Sequence, residues 1–211
     1  MPFSNNVRPE RMPGPINGNP ANGLCERVCI QATKVFDACI KQETLTGIPV
    51  TLTTTTPTDV TTPFTFVSAR TTTSEGTISN LMVTPLTDKG TAMRIQADVL
   101  VPLQVYFTDA NGIQATGATT LTVGRDLVLN VPQASVIPYR IEAIVNAVST
   151  VGTYTGGATF NLTVCLTVII KVVTDVDLLI PSYGYCYIPP CQEFQQEVCE
   201  GFFDLPLFPQ C

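Results

Sequence analysis

The sequence predicts a mainly β protein: an antiparallel β-sandwich of jelly-roll type with an extended N-terminal arm and a cysteine-rich C-terminal tail. Three observations lead there. Apolar residues alternate with polar ones over 93–107 and again over 160–172, which is the period of a strand with one face in a core. From Ile48 onward Thr and Val recur in short runs parted by Pro and Gly, a language of β propensity without helix propensity. Cysteines gather towards the two ends, and four of the eight fall after residue 185.

Taken in order, residues 1–23 hold Pro2, Pro9, Pro13, Pro15 and Pro20 with Gly14, Gly18 and Gly23. Such a composition favours irregular or extended backbone, so this stretch reads as an arm. Over 25–42 the apolar residues Cys25, Val28, Cys29, Ala32, Val35, Phe36 and Cys39 follow the spacing of one helical face. That spacing predicts a short helix, with a strand through 34–40 as the alternative. Strands are expected at 64–70, 77–84, 93–107, 117–123, 126–131, 138–149 and 158–174, with Pro102 breaking the third of these. The segment Asp109 to Gly112 contains Asn111-Gly112 and reads as a hairpin turn, because this pair readily takes positive φ. In the last strand Phe160, Leu162, Val164, Leu166, Val168, Ile170 and Val172 share one face, which sends Cys165 to the other with Thr163 and Thr167. The expected organisation is an arm or connector at 1–44, a sandwich domain at 45–180, and a tail rich in cysteine and aromatic residues at 181–211.

Composition narrows the function. Charged residues make up 13% of the chain against about 25% in ordinary soluble domains, and so little charge suggests a surface covered by neighbouring copies. The net charge is -6 and the few cations are scattered, which removes the usual driver of nucleic-acid binding. Histidine is absent; with it go the commonest general base and every Ser-His or Cys-His pair. No catalytic residue, cofactor site or metal site is expected, and the chain reads as a non-enzyme. The longest apolar stretch, Leu166 to Val173, is interrupted by Thr167 and Lys171 and is too short to cross a bilayer, and the first residues lack the apolar core of a secretory signal. Membrane partners are therefore not expected.

The cysteines carry the remaining signal. Cys25, Cys29 and Cys39 lie in the N-terminal part, Cys165 in a strand, and Cys186, Cys191, Cys199 and Cys211 in the tail. The favoured reading is covalent stapling within or between subunits, in which all eight are disulfide candidates and Cys165 pairs with Cys25, Cys29 or Cys39. Partners cannot be assigned from spacing alone. A four-cysteine zinc site is weaker because the pairs are spaced Cys25-x3-Cys29 and Cys186-x4-Cys191 rather than Cys-x2-Cys, and buried reduced thiols are the plain alternative. Asp37 with Glu43, or Asp175 with Asp177, form no convincing acid-base or calcium pair, since nothing nearby sets one carboxyl against the other. Gly152, Gly156 and Gly157 lack the lysine of a phosphate loop and read as a turn between strands. Asn161-Leu162-Thr163 matches a glycosylation acceptor but falls inside a strand.

Three runs, KVFDAC at 34–39, VPQASVIPYRIEAIVNA at 131–147 and PSYGYCYIPPCQEF at 181–194, resemble proteins of anaerobic endospore-forming bacteria related to the β-rich domains of spore coat assembly proteins. In plan, a cysteine-bearing arm joined to a jelly-roll domain is also similar to the endospore appendage subunits, although the long cysteine tail departs from them. The resemblance implies a self-assembling structural subunit of a disulfide-stabilised spore-surface structure, most simply a filament or appendage. It further implies synthesis in the mother-cell cytosol without a signal peptide, oxidation on lysis, and partners that are copies of itself or other spore-surface proteins. Rival expectations are a phage virion protein, decorating a capsid or forming part of a tail, and a zinc-binding or redox module.

Overall fold

The structure is a computed structural model that describes residues 18–86 and 90–186. The described residues divide into two compact units, a larger one within 33–175 and a smaller one of residues 18–32 with 176–186. The described residues form eight strands and no helix. They are β1 (Glu26–Thr51), β2 (Thr54–Thr56), β3 (Thr65–Thr71), β4 (Glu75–Pro85), β5 (Ala92–Thr108), β6 (Gln114–Asn130), β7 (Arg140–Gly156) and β8 (Thr159–Ser182). All belong to one antiparallel sheet in the order β1-β8-β7-β3-β5-β6-β2, with β4 pairing β5 and β7.

In the larger unit the side-chain period of β5 is nearly perfect. Ile95, Ala97, Val99, Val101, Leu103, Val105 and Phe107 are buried while Gln96, Asp98, Leu100, Gln104 and Tyr106 are not. Residues Phe160 to Val172 of β8 alternate in the same way, as expected, and the pattern then breaks where Val172, Val173 and Thr174 are buried in succession. These two strands line a single core with β6 and β7, and Phe64, Phe66, Phe107, Tyr154 and Phe160 cluster within it at ring-centroid distances of 4.6 to 6.2 Å.

The two edges of this sheet are joined by the chain itself. After β1, Leu52 donates its N–H to Ala158 beside β8, and Thr53 donates to Ala118 on β6, so two residues carry the backbone from one edge to the other. Side chains close the rest of the seam between β1 and β6. The Asp37 carboxylate accepts the Asn130 N–H at 2.7 Å, Glu43 takes the Arg125 guanidinium at 2.5 Å, and the Thr119 hydroxyl donates to the Thr51 carbonyl at 2.8 Å.

Three expectations need correction. The helix over 25–42 is absent: this segment is the first part of β1, and its helical spacing arises because β1 is an edge strand whose residues are mostly exposed, with Phe36, Cys39, Leu45 and Ile48 partly packed on the core. Tertiary pairing overrides a short periodicity. Pro102 does not break β5. It pairs with Thr120 of β6 on one side, and on the other it stands where β5 changes partner from β4 at Leu100 to β3 at Leu103. The Pro102 carbonyl accepts the Thr72 N–H in that gap, so the missing N–H points where no ladder bond is required. The strands expected at 117–123 and 126–131 are one strand, β6, paired along its length with β5.

The turns fall where expected. Gly112 has φ 79° in the β5–β6 hairpin, and the Asp109 carboxylate accepts N–H bonds from Thr61, Asn111 and Ile113 at 3.2, 2.8 and 2.8 Å. Gly156 and Gly157, with φ 121° and 58°, turn β7 into β8. Gly152 is different, lying inside β7, where a Cβ would sit 2.5 Å from Leu162 and 2.8 Å from the Phe66 ring. The peptide bonds before Pro57 and Pro63 are cis.

In the smaller unit, Asn19 to Gly23 form a turn in which Asn22 donates its N–H to the Asn19 carbonyl. Cys25 then donates its N–H to Ser182, where the smaller-unit portions of β1 and β8 meet. Val28, Ile30, Leu178 and Leu179 lie on these strand portions, and Ile30, Leu178 and Leu179 are exposed. The expected boundary between arm and domain, after residue 44, falls within β1.

Candidate assembly surface and cysteine sites

The thiols differ in setting. Cys25 and Cys29, in the smaller unit, and Cys186 are exposed. Cys191, Cys199 and Cys211 lie outside the described residues. Cys39 is half-buried against the core of the larger unit. Burial pushes its thiol pKa up, and the nearby Asp37 carboxylate adds to this, outweighing the opposing effects of the Ile170 backbone and Arg125. Less thiolate means a slower crosslinking group.

Cys165 has the opposite environment. Its neighbours Val164 and Leu166 are buried, and its own side chain leaves the outer face of β8, exposed, as the alternation requires. It stands directly opposite Val148 of β7. On its other side lies β1, where Gln42 donates to the Thr167 hydroxyl at 3.3 Å, a contact that places Thr44 beside Cys165 and Ile40 beside Ile169. Cys39, by contrast, faces the core and contacts the backbone of Ile170. Five residues of strand separate the levels of Cys39 and Cys165, roughly 17 Å, against a Cα limit of about 7 Å for a disulfide. The expected pairing of Cys165 with Cys39 within one chain is therefore corrected. No disulfide joins Cys29, Cys39, Cys165 or Cys186 to one another.

The outer face around Cys165 departs from the usual surface of a one-sided sheet, where the outward positions are polar. Three rows cross β1, β8 and β7, and a fourth crosses β8 and β7. They are Ile40, Ile169 and Ile144; Gln42, Thr167 and Asn146; Thr44, Cys165 and Val148; and Thr163 with Val151. None of these residues is charged. Ile40, Val148 and Val151 are 61%, 45% and 62% exposed, so apolar side chains reach solvent among the polar ones of the patch. Its middle is a shallow depression of 540 Å³ lined by Gln42, Glu43, Thr44, Asn146, Val148, Cys165, Leu166 and Thr167. Ions flank the patch at one end and along β7: Arg140 bonds Glu142 at 2.6 Å and Asp175 at 2.9 Å, Lys171 stands opposite Glu142, and on the far side of β7 Arg70 stands opposite Val148 and Glu75 opposite Ile144.

Sequence reasoning found Cys165 and its face but missed the isoleucines and valines around it. The signal was present in the runs Ala143 to Val145 and Val168 to Ile170, where apolar residues occupy consecutive positions and hence both faces of a strand.

The carboxylates considered for acid-base work are dispersed. Asp37 holds Asn130, and Glu43 holds Arg125 and Lys41. Asp175 is held below its ordinary pKa first by Arg140 and then by the Thr33 hydroxyl, while Asp177 lies in the smaller unit. Among the described residues no three Cys, Asp or Glu side chains gather as metal ligands, and no helix is long and apolar enough to cross a membrane. No protein-family model, curated protein or solved structure matches this chain.

Proposed function

We propose that this protein is a structural, non-enzymatic subunit that assembles with copies of itself into a disulfide-stabilised filament or appendage on the spore surface, its sheet folded as a jelly-roll-like sandwich. One observation carries the reading: exposed thiols at Cys29, Cys165 and Cys186 occur on a chain with little charge, and Cys165 lies within a partly apolar sheet face. A face of this kind gains free energy by being covered, and thiols on the surface are accessible to an oxidant. Placement outside the cell, on the spore, rests on the likeness of 34–39, 131–147 and 181–194 to spore-coat-related proteins. An oxidising location also accounts for eight cysteines better than a reducing cytosol does.

The test is electron microscopy of purified protein after oxidation, paired with electrophoresis after boiling in detergent. Filaments that survive boiling without reductant and collapse to single chains with it are the expected result. Oxidised material that runs as single chains without any reductant removes the covalent assembly.

A further inference from the structure

We propose that the seam between β1 and β6 is an acid-operated latch, which opens over residues 37–44 when Asp37 and Glu43 take up protons while the ladders of the sheet stay intact. The inference stands apart from the assembly reading and does not need it. Its first ground is the sheet order. β1 ends the sheet beyond β8, and β6 pairs with β5 along its length but with β2 only at residues 116–118. Among the described residues no backbone ladder joins β1 to β6 from Thr119 to Asn130, and side chains close the gap. Asp37 accepts the backbone and side-chain N–H groups of Asn130 at 2.7 and 2.9 Å, and Glu43 takes Arg125 at 2.5 Å and Lys41 at 3.2 Å.

The second ground is packing. Of the apolar side chains of β1 between 37 and 44, Ala38 and Ile40 are exposed and Cys39 alone packs, half-buried, on the core. From Leu45 onward the anchoring changes. Leu45, Ile48, Val50 and Leu52 pack on or within the core, and Thr51 and Thr53 are bonded to Thr119 and Ala118 of β6. Phe36 packs on the core at the other end. The segment between these anchors is held to β6 chiefly by its two carboxylates, so the latch is a local widening in which β1 stays paired with β8.

Protonation undoes both closures. Burial pushes the Glu43 carboxyl up, yet Arg125 and then Lys41 outweigh this, and the Asn130 N–H holds Asp37 down against burial. Carboxyls with depressed folded values stabilise the closed seam above the ordinary range of about 4, and that stability is lost as pH falls through the folded values. A protonated Glu43 leaves Arg125 charged, since a guanidinium keeps its proton. The Arg125 side chain is 6% exposed, its Nε has no hydrogen-bond partner, and its other bond is to the Gly124 carbonyl at 3.1 Å. A buried cation without a counter-charge is strongly unfavourable. Lys41 beside it adds repulsion, and the guanidinium reaches water once β1 moves off β6. No other charge replaces Glu43. On the core side β8 presents Leu166, Val168, Ile170 and Val172, its Lys171 belongs to the outer face, and Asp126 of β6 bonds Arg94. Cys39, beside Asp37 and Arg125, and Cys165, which shares the outer depression with Glu43, are neutral thiols in acid.

The experiment uses Cys39 as a native probe of the seam. The reduced full-length chain is treated with dithiodipyridine, and the reaction rate of each cysteine is read from its peptide by mass, with the exposed Cys165 as reference. Below neutral pH the thiolate fractions of the two fall in parallel, so the ratio of their rates reports access. The Cys39 to Cys165 ratio is expected to rise about tenfold or more between about pH 6 and about pH 3. The double variant Asp37→Asn with Glu43→Gln, which carries an uncharged seam without acid, shows a similar rise at neutral pH. Amide protection in the β5–β6 ladder, taken relative to the intrinsic exchange rate at each pH, stays unchanged in both cases. Should the double variant fail to fold, Asp37→Asn alone at neutral pH and the acid series of the unaltered chain carry the test. A ratio that stays flat as the unaltered chain is acidified overturns the proposal, as does a folded double variant with the unaltered ratio. A rise that coincides with loss of β5–β6 protection overturns it too, because the sheet then unfolds as a whole and no latch opens.

Discussion

Arg125 is the clearest case of a side chain whose partner decides its worth. Its side chain is 6% exposed, it faces the interior from β6, its Nε has no partner, and Glu43 at 2.5 Å is its counter-charge. Removing one member of a buried pair strands the other, at about 3–5 kcal/mol. Glu43→Ala is expected to lower stability by about 3 kcal/mol in urea unfolding, since Glu43 retains some contact with solvent. The double change Glu43→Leu with Arg125→Met recovers most of that loss. Gly152 is limited by space, because a Cβ there meets Leu162 and the Phe66 ring inside 3 Å. Gly152→Ala should cost about 1–3 kcal/mol through overpacking, visible as a lower Tm. Asp109 sets the β5–β6 turn. Burial pushes its carboxyl up, yet the N–H groups of Ile113, Thr61 and Asn111 outweigh this and hold it below the ordinary value of 3.8. A depressed folded-state pKa contributes stability that is present above the unfolded value and lost as pH falls through the folded one. Asp109→Asn should therefore flatten the decline in stability below about pH 4, measured by urea unfolding across the acid range.

At the scale of elements, the seam between β1 and β6 is closed by carboxylates where a ladder would otherwise stand. The Asp37 carboxyl is held below its ordinary value chiefly by the Asn130 N–H, against a smaller opposing effect of burial. The same sign applies: acid that protonates Asp37 withdraws the acceptor from Asn130, and the protection of that amide against hydrogen exchange, taken relative to its intrinsic rate at each pH, should fall before that of the β5–β6 ladder does. The strand pattern of the larger unit was legible in the sequence wherever one face met the core, as at Ile95 to Phe107 and Phe160 to Val172. It was illegible in β1, because an edge strand with its residues largely exposed has no strict period to show. Pro102 misled for a related reason: proline forbids a donor, but only the sheet order reveals that β5 exchanges β4 for β3 at that residue. The thiol-bearing face of β8 was readable from alternation alone. Its apolar surroundings were not, since Ile40 and Ile144 join Ile169 only through strand pairing.

For the whole molecule, circular dichroism should report sheet with little helix. On the assembly reading proposed above, Cys29→Ser should leave assemblies that form but separate more readily in hot detergent, because a disulfide between subunits must be broken before they part. Deleting residues 1–39 is expected to unfold part of the larger unit as well as to stop assembly, since Phe36, Asp37 and Cys39 belong to its core and seam. The adjacency of β1 and β8 reaches further, into the making of the protein. Thr51 meets Thr159 and Thr33 meets Asp175, pairs 108 and 142 residues apart. A chain leaving the ribosome from its N-terminus therefore exposes residues 33–51 with no ladder partner until more than a hundred further residues have been added. The sheet acquires this edge last, after the β5–β6 hairpin and most of the core are available. Such distant closure slows folding, and synthesis of this protein keeps an unpaired strand open to neighbouring nascent chains for most of its duration.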